Sequence, residues 1–289
     1  MGQDDDTRTG EMLGGRYKIG ELIGKGGHGE VYRAQDTVDG RVVAVKFLAA
    51  HLAQDHDYRV RLAREFRAMS ALNGRGTLEV MGILGADDGT PCLVMELLVG
   101  CDLSDAIADR NRLRVRFNLD EVVALFSQLT TTLEAVHALQ ITHRDLKPSN
   151  IYLVGRKMTD PRIMDFGLAK VSDMQQITAD RMLAGSPSYV APEIWMKGAR
   201  AADHRADVYS LAVVLYQTLT GDVPIFRQNL AEMLMAVTRP GNIPSLHKKR
   251  PDLSAAIDDW AAQAFAINPD ERFQTVAGMW RAFRSTVGK

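Results

Sequence analysis

The sequence predicts an α+β protein with a strand-rich N-terminal part and a mainly helical C-terminal part. Between residues 17 and 98, β-type segments are separated by short turns that contain glycine and aspartate. After residue 102, apolar residues recur every three to four positions in several long segments. With 46% hydrophobic and 25% charged residues among 289, the chain can bury a full core and still stay in solution.

Composition argues against several classes of protein. The net charge of −1 gives no case for general attraction to nucleic acids or membranes, and we expect contact with neither. The two cysteines, Cys92 and Cys101, have no metal-binding spacing, so we expect a reducing, cytoplasmic setting. No apolar stretch approaches the roughly 18–20 residues of a membrane-spanning helix. A membrane-anchored parent protein, with its spanning segment outside this chain, stays an open alternative.

The N-terminal half begins with a polar segment and continues with strands. Residues 1–15 are rich in glycine, aspartate and threonine and are predicted to be a flexible tail. Tyr17 to Ile23 is predicted to form a strand. Residues 78–99 are predicted to hold two apolar strands separated by a turn at Asp87–Gly89.

A glycine-rich stretch follows the first predicted strand. Gly24, Gly26 and Gly29 allow a tight turn whose backbone N–H groups can contact phosphate oxygens. The same spacing occurs in dinucleotide-binding turns, but there a helix follows. Here the continuation through Val31 and residues 42–46 is β-type, which favours a phosphate-binding hairpin between antiparallel strands. An ordinary flexible hairpin is the alternative.

Lys46 ends an apolar strand, where it is either a solvent-exposed edge residue or a phosphate ligand. Residues 57–72 show helical periodicity. Glu65 is the only acid in the centre of that segment, so it is the expected ion-pair partner of Lys46. The alternative is a solvated pair with Arg61 or Arg64.

Two helices are predicted at the start of the C-terminal half, from Asp102 to Asp109 and from Leu119 to Leu139. Between them, Arg110 to Arg116 carries arginine at alternate positions. Such a run can dock an acidic substrate or partner, but it is more often a solvated face. Further helical patterns lie at Val208–Thr220, Leu230–Val237, Leu253–Ala266 and Thr275–Val287.

The densest polar cluster, residues 143–150, follows the long helix and reads His-Arg-Asp-Leu-Lys-Pro-Ser-Asn. Asp145 can accept a proton or orient a hydroxyl group. Lys147 can stabilise an anionic group during transfer. Asn150 offers a neutral oxygen of the kind that Mg²⁺ binds, and a predicted strand hairpin would place Asp165 beside it as a second oxygen ligand.

These motifs resemble those of the eukaryotic-type (Hanks-type) serine/threonine protein kinase family, and the short loops are typical of its bacterial members. The resemblance rests on residues 143–150, on Asp165-Phe166-Gly167 and on Ala191-Pro192-Glu193. It covers about residues 16–286 and implies a bilobal kinase fold. A small antiparallel-sheet lobe (16–98) would precede a larger, mainly helical lobe (99–289).

The resemblance implies an enzyme of signal transduction that transfers the γ-phosphoryl group of ATP to Ser or Thr hydroxyls of proteins. Its implied cofactors are ATP and Mg²⁺, with Mn²⁺ as a substitute metal. The implied catalytic residues are Asp145, Lys147, Lys46 and Glu65, and the implied metal ligands are Asn150 and Asp165. A homodimer through the small lobe is a further expectation.

The resemblance also implies how the nucleotide is bound. The implied contacts are Gly24, Lys25, Gly26, Gly29, Val31, Ala44, Lys46, Met95, Glu96, Leu98 and Tyr152. Adenine would bond the backbone around Glu96 and Leu98, with Met95 at the back of the pocket. Tyr152 departs from the aliphatic residue usual at its position, but an aromatic ring can still stack on adenine.

An activation segment is implied between Asp165 and Glu193, with a mobile polar middle. Thr178 is the first candidate for phosphorylation, followed by Ser172 and Ser186. An unmodified loop hydroxyl is the alternative. Two supports are implied in the large lobe: an ion pair between Glu193 and Arg272, and bonds from Asp207 to the backbone of the catalytic stretch.

Two other function classes share this fold. A pseudokinase would act as a scaffold and typically lacks the lysine, the catalytic aspartate or the metal-binding aspartate, whereas Lys46, Asp145 and Asp165 are all present. A small-molecule phosphotransferase usually lacks the Ala-Pro-Glu segment, which is present at 191–193. Both are therefore disfavoured.

Overall fold

The computed structural model divides into two compact units, Met1–Val99 and Gly100–Lys289. The residues it describes are 8–26, 29–49, 70, 72, 74, 76–165, 187–198 and 202–289. Apart from residues 70 and 72, the predicted helix over 57–72, with Glu65, lies outside the described residues, as do the candidate phosphorylation sites Ser172, Thr178 and Ser186.

The N-terminal unit contains a six-stranded antiparallel sheet with the strand order β1-β2-β3-β4-β6-β5. Its strands are β1 (Met12–Leu13), β2 (Tyr17–Gly26), β3 (Gly29–Asp36), β4 (Val42–Leu48), β5 (Val80–Gly85) and β6 (Pro91–Glu96). The two predicted strands within 78–99 and their separating turn are thereby confirmed. The first predicted strand is three residues longer than expected, ending at Gly26 rather than Ile23.

The alternation of side chains along β4 determines which residues face the core of this unit. Val43, Val45 and Phe47 are buried in one apolar cluster with residues of β2, β3 and β6. Because successive strand residues point to opposite faces of a sheet, Ala44 and Lys46 lie on the other face. The core of the sheet thus directs Lys46 away from itself, as a ligand-binding role requires.

The prediction of a flexible tail is wrong for residues 8–15. Leu13 is only 4% exposed and extends the apolar cluster of the sheet. Arg8 places a guanidinium nitrogen 2.6 Å from the Asp88 carboxylate and its charge 4.4 Å from the centre of the Phe47 ring. The polar composition of this segment gave no sign that it is ordered. One buried leucine, one arginine and backbone pairing are enough to hold it against the sheet.

The C-terminal unit combines a three-stranded antiparallel sheet with eight α-helices in the part of the chain that the structure describes. Its strands are β7 (Gly100–Asp102), β8 (Ile151–Val154) and β9 (Pro161–Ile163). Its helices are α1 (Leu103–Arg112), α2 (Leu119–Ala138), α3 (Pro192–Lys197), α4 (His204–Thr220), α5 (Leu230–Val237), α6 (Leu246–Lys249), α7 (Ile257–Ala264) and α8 (Val276–Thr286). Among the described residues, none of the helices is long and apolar enough to cross a membrane.

Helix α4 is the central element of this unit. All of its residues except His204, Arg205 and Gln217 are buried, as expected for a helix that is packed on every side. It begins one turn before the predicted Val208, because the Asp203 side chain accepts a hydrogen bond from the Arg205 backbone and so caps an earlier turn. Asp207 therefore lies within the first turn of α4 and does not start the helix.

The other helix predictions for the C-terminal unit differ only at their ends. The bounds of α5 are as predicted, and α2 ends one residue early. Helix α1 begins at Leu103, with Asp102 as its cap, and continues past Asp109 to Arg112. Arginines in its last turn compensate the helix dipole and support this extension.

Candidate active site

The polar stretch 143–150 is anchored to α4 through Asp207. This carboxylate is fully buried and accepts the backbone N–H groups of His143 at 2.8 Å and Arg144 at 2.9 Å. His137, in the last turn of α2, adds a third contact, with its Nε2 at 2.8 Å from the carboxylate. The predicted bond from Asp207 to this backbone is confirmed, and one side chain joins α2, α4 and the stretch between α2 and β8.

His143 connects the same stretch to the end of β9. Its imidazole is fully buried, with Nε2 at 3.0 Å from the Met164 carbonyl oxygen and Nδ1 at 3.2 Å from the Asp145 backbone nitrogen. A neutral ring with the proton on Nε2 satisfies both contacts, since Nε2 then donates and Nδ1 accepts. Burial lowers the pKa of His143 below its ordinary value of 6.5, which favours this neutral form.

Two residues at this site adopt the left-handed backbone conformation that non-glycine residues rarely occupy. Arg144 has φ = 63° and Asp165 has φ = 49°. Such conformations persist only where surrounding contacts hold them, and they are concentrated at functional sites. For Arg144, the bond from its backbone N–H to Asp207 is one such contact.

Lys147 and Asn150 converge on one carboxylate oxygen of Asp145. Lys147 Nζ lies 3.1 Å and Asn150 Nδ2 lies 3.2 Å from Asp145 Oδ2. Asn150 Nδ2 also donates to the Asp145 carbonyl oxygen at 2.7 Å. The side chains of Asp145 and Lys147 are only 11% and 17% exposed, so water screens this cluster weakly.

The strand pair β8–β9 brings the candidate metal ligands to neighbouring strand ends. Ile151 pairs with Ile163, and the Met164 backbone N–H donates to the Asn150 carbonyl oxygen at 2.9 Å. Asn150 accepts this last hydrogen bond, and Asp165 directly follows its donor, Met164. Asn150 Nδ2 donates to Asp145, so the atom of this side chain that could bind a metal ion is its amide oxygen, Oδ1. An amide oxygen and a carboxylate suit Mg²⁺, which typically keeps water and phosphate oxygens as its other ligands.

In the N-terminal unit, the glycine-rich stretch joins β2 to β3 by an antiparallel pairing of Gly26 with Gly29. Gly29 has φ = 132°, and a Cβ atom there would lie 3.0 Å from the Phe47 carbonyl carbon and closer still to its oxygen. Sequence reasoning assigned this glycine to phosphate contact. The structure adds a second reason for it, the close approach of the β4 backbone.

The remaining predicted nucleotide contacts are distributed over both units. Lys25 forms an ion pair with Glu30 at 3.0 Å, and Gly24 pairs with Val31 across the hairpin. On β6, Met95 is opposite Ala44. The Glu96 side chain accepts the Glu79 backbone N–H at 2.9 Å, which holds the end of β6 against the residue before β5, ahead of Leu98. Tyr152 lies on β8 in the C-terminal unit, and burial raises its pKa.

A buried ion pair supports the C-terminal unit. Arg272 contacts both carboxylate oxygens of Glu193, at 3.1 and 3.0 Å, and its side chain is fully buried. It also donates to the carbonyl oxygens of Arg205 and Ala266 and lies over the Tyr209 ring. This predicted ion pair is confirmed.

Sequence reasoning missed His137. It is the only histidine in a helix whose inward face is mostly apolar, which was the available signal. An argument from apolar periodicity assigns such a residue to a helix face but does not identify its hydrogen-bond partner. Its partner, Asp207, lies 70 positions away, so no local pattern announces the contact.

Residues 17–281 match the protein kinase domain family. The chain is 36% identical to the serine/threonine-protein kinase Pkn1 of Myxococcus xanthus and 33% identical to PknE of Mycobacterium bovis, over 94% and 98% of its length. It spans only 38% and 48% of those two relatives. It is also similar to the crystal structure of the PknI kinase domain of Mycobacterium tuberculosis, with a TM-score of 0.75 and 27% identity over 97% of this chain and 99% of the other. The expected α+β kinase fold is confirmed, and the chain belongs to the Hanks-type serine/threonine protein kinase family.

Proposed function

We propose that this chain is an ATP-dependent protein kinase domain that phosphorylates serine and threonine hydroxyls of proteins. The observation that carries the proposal is the convergence of Lys147 and Asn150 on Asp145 Oδ2. A carboxylate held in this way is oriented by its neighbours and can accept a proton from a hydroxyl group placed beside it.

Asp145 is the proposed base or orienting group for the substrate hydroxyl. Lys147, 3.1 Å from it, carries the positive charge that would stabilise a phosphoryl group as it moves. Asp207 and His143 act as positioning residues, because they hold the backbone on either side of Arg144. The protein contributes position and charge rather than a covalent intermediate, which suits phosphoryl transfer.

Asn150 and Asp165 are the proposed ligands of Mg²⁺, with Mn²⁺ as a substitute. When bound, the metal ion would neutralise charge on the ATP phosphates. In the N-terminal unit, Lys46 is the proposed ligand of the α and β phosphates, with Glu65 as its ion-pair partner. The residues proposed for phosphate cover and adenine contact are Gly24, Lys25, Gly26, Gly29, Val31, Ala44, Met95, Glu96, Leu98 and Tyr152.

Arg144 supports a proposal of regulation by phosphorylation. Its Nε atom is buried and makes no hydrogen bond within the described part of the chain. The N–H group of such a nitrogen can donate a hydrogen bond to an oxygen of a phosphorylated side chain. Thr178, Ser172 and Ser186 are the proposed acceptors of autophosphorylation.

The proposal also includes protein substrates, a homodimer through the small lobe and a reducing, cytoplasmic setting. The last is supported by the two cysteines, which are both buried and not joined in a disulfide. Burial raises the pKa of Cys92 to about 12, which keeps this thiol protonated.

The test is the intact mass of the purified chain after incubation with Mg-ATP, for the wild type and Asp145→Asn in parallel, with phosphopeptide mapping. We expect added phosphate on the wild type only, because an amide in place of the Asp145 carboxylate cannot accept a proton. A generic protein substrate is assayed at the same time. If the wild type gains no phosphate and transfers none to that substrate, yet binds ATP, the chain is a scaffold and the proposal fails.

A further inference from the structure

The arginine-rich run that begins in the last turn of α1 has no role in the function proposed above. Arginines occupy alternate positions from 110 to 116, and α6, more than 130 residues later, carries two lysines in sequence. The basic patch is defined here as Arg112, Arg114, Arg116, Lys248 and Lys249, together with the apolar residues Leu113 and Val115.

The turn after α4 holds the two parts of the basic patch together. Arg116 donates to Asn111 Oδ1 at 3.0 Å, and the Asn111 amide donates to the Gly221 carbonyl oxygen at 2.9 Å. On the next residue of the same turn, Asp222 lies 3.4 Å from Lys249 Nζ. Arg116 and Lys249 therefore flank one two-residue turn.

A buried arginine makes this arrangement rigid. Arg250 is 7% exposed and donates to the carbonyl oxygens of Phe117 at 3.3 Å and Leu219 at 3.0 Å. It thereby joins the end of the arginine run, the end of α4 and the end of α6. The basic patch is thus part of a folded surface rather than two independent loops.

The positive charge of the basic patch exceeds its local counter-charge. Asp109 pairs with Arg112 at 2.6 Å but also with Arg156 at 2.5 Å. Among the described residues, Asp222 forms an ion pair with Lys249 alone. The side chains of Arg114 and Lys248 make no ion pair with any residue that the structure describes. Five cations against two carboxylates leave a surplus of three positive charges, in a chain whose net charge is −1.

Exposed aliphatic side chains lie between these arginines. Leu113 is 69% exposed and Val115 is 42% exposed, whereas Phe117, which follows them in the chain, is buried. Basic side chains can bind lipid phosphates while neighbouring aliphatic side chains enter the boundary between headgroups and acyl chains. Clusters of about four to eight basic residues are typical of surfaces that bind anionic lipids.

The same features favour a lipid surface over other anionic partners. Single-stranded nucleic acid is usually held by exposed aromatic rings. Phe117, however, is only 4% exposed, and the Arg110 guanidinium carbon lies over its ring, 4.6 Å from the ring centre. An acidic protein would bind tightly by burying anchor side chains in matched pockets. Leu113 and Val115 instead stand in solvent, and a fluid bilayer accepts them without shape matching.

We propose that the basic patch is a peripheral docking surface for anionic phospholipids, which would hold the C-terminal unit at a negatively charged membrane surface. This replaces the expectation of no membrane contact. That expectation rested on the net charge of the whole chain, which averages out a local surplus of positive charge.

The experiment measures co-sedimentation of the full chain with vesicles of phosphatidylcholine, with and without about a third of phosphatidylglycerol. We expect binding to the anionic vesicles only, weakened as salt rises from about 0.05 to 0.5 M. The triple variant Arg112→Ala, Arg114→Ala, Arg116→Ala should bind on the order of 100-fold more weakly, at roughly fivefold per cation.

The matched control is Lys18→Ala, Arg33→Ala, Arg41→Ala, which removes the same charge from exposed positions of the N-terminal unit. It should keep its vesicle affinity within about twofold. A second variant, Leu113→Ser with Val115→Ser, should lose affinity without losing charge. Circular dichroism and activity on a short peptide show that each variant is folded.

Three results would overturn the proposal. The first is a wild type that does not bind anionic vesicles, and the second is a control that loses as much affinity as the arginine variant. The third is binding of polyglutamate through the basic patch without any binding of vesicles, which would assign the surface to an acidic protein. Kinase activity is not the readout, so the proposal can fail while the proposed function stands.

Discussion

At the scale of single residues, the polar stretch 143–150 is held by a few buried polar atoms with defined roles. His143 uses both ring nitrogens, one toward Met164 and one toward the Asp145 backbone. A protonated ring would turn Nδ1 from an acceptor into a donor that faces another N–H group. The charge state of one imidazole is therefore coupled to the position of Asp145, the proposed catalytic base.

This coupling predicts a dependence of stability on pH. Since burial lowers the pKa of His143 in the folded protein, the unfolded chain binds a proton more readily below the ordinary value of 6.5. The contribution to stability is complete above that value and is lost as the pH falls toward the lowered pKa. Urea unfolding of the wild type should show a smaller free energy of unfolding at about pH 5.5 than at about pH 7.5.

The control is His143→Asn, which cannot be protonated in this range. Its unfolding free energy should be lower than that of the wild type at neutral pH but should fall less between the two pH values. Equal pH slopes for the two proteins would show that His143 is not buried in its neutral form.

At the scale of elements, glycine positions in the sheet depend on strand contacts as well as on ligand contacts. Gly29 begins β3 against the backbone of Phe47 and Ala49, at distances that leave no room for a Cβ atom. A motif search reports only that the glycine is present. The neighbouring strand explains why a larger residue fails there even without nucleotide.

We expect Gly29→Ala to lower the free energy of unfolding by about 2–4 kcal/mol, because it adds a backbone clash to the cost of a positive φ. Gly89→Ala is the matched control, since Gly89 also has a positive φ but no atom within 4 Å of its Cβ position. Its cost should be about 1 kcal/mol. Denaturant unfolding without nucleotide measures both variants, and equal costs would contradict the clash.

At the scale of the whole molecule, Arg272 connects segments that are far apart in the sequence. Glu193 lies 79 positions before it and Arg205 lies 67 positions before it. The arginine is fully buried, so removing it would leave the Glu193 carboxylate without its cation in a region of low dielectric constant.

We expect Arg272→Leu to lower the free energy of unfolding by about 3–5 kcal/mol. Arg33→Leu, which breaks an exposed pair with Glu21, should change it by about 0–1 kcal/mol. Thermal and urea unfolding provide the comparison. A loss at Arg272 no larger than that at Arg33 would show that the buried pair is not a major support of this unit.

The sequence by itself determined the family and the α+β order of elements, and it located the polar stretch 143–150 of the proposed active site. Each of these features depends on short segments, which propensity and motif spacing describe well. Helix ends shifted by up to one turn where a capping side chain, such as Asp203, decided them. Only the tertiary structure decided the placement of residues 8–15, the contact of His137 with Asp207, the crowding at Gly29 and the basic patch. Each of these depends on partners that are 18 to more than 130 residues apart in the chain, such as Arg8 with Asp88 or Phe117 with Arg250. Folding brings such partners together through packing, for which no local pattern of residues is a guide.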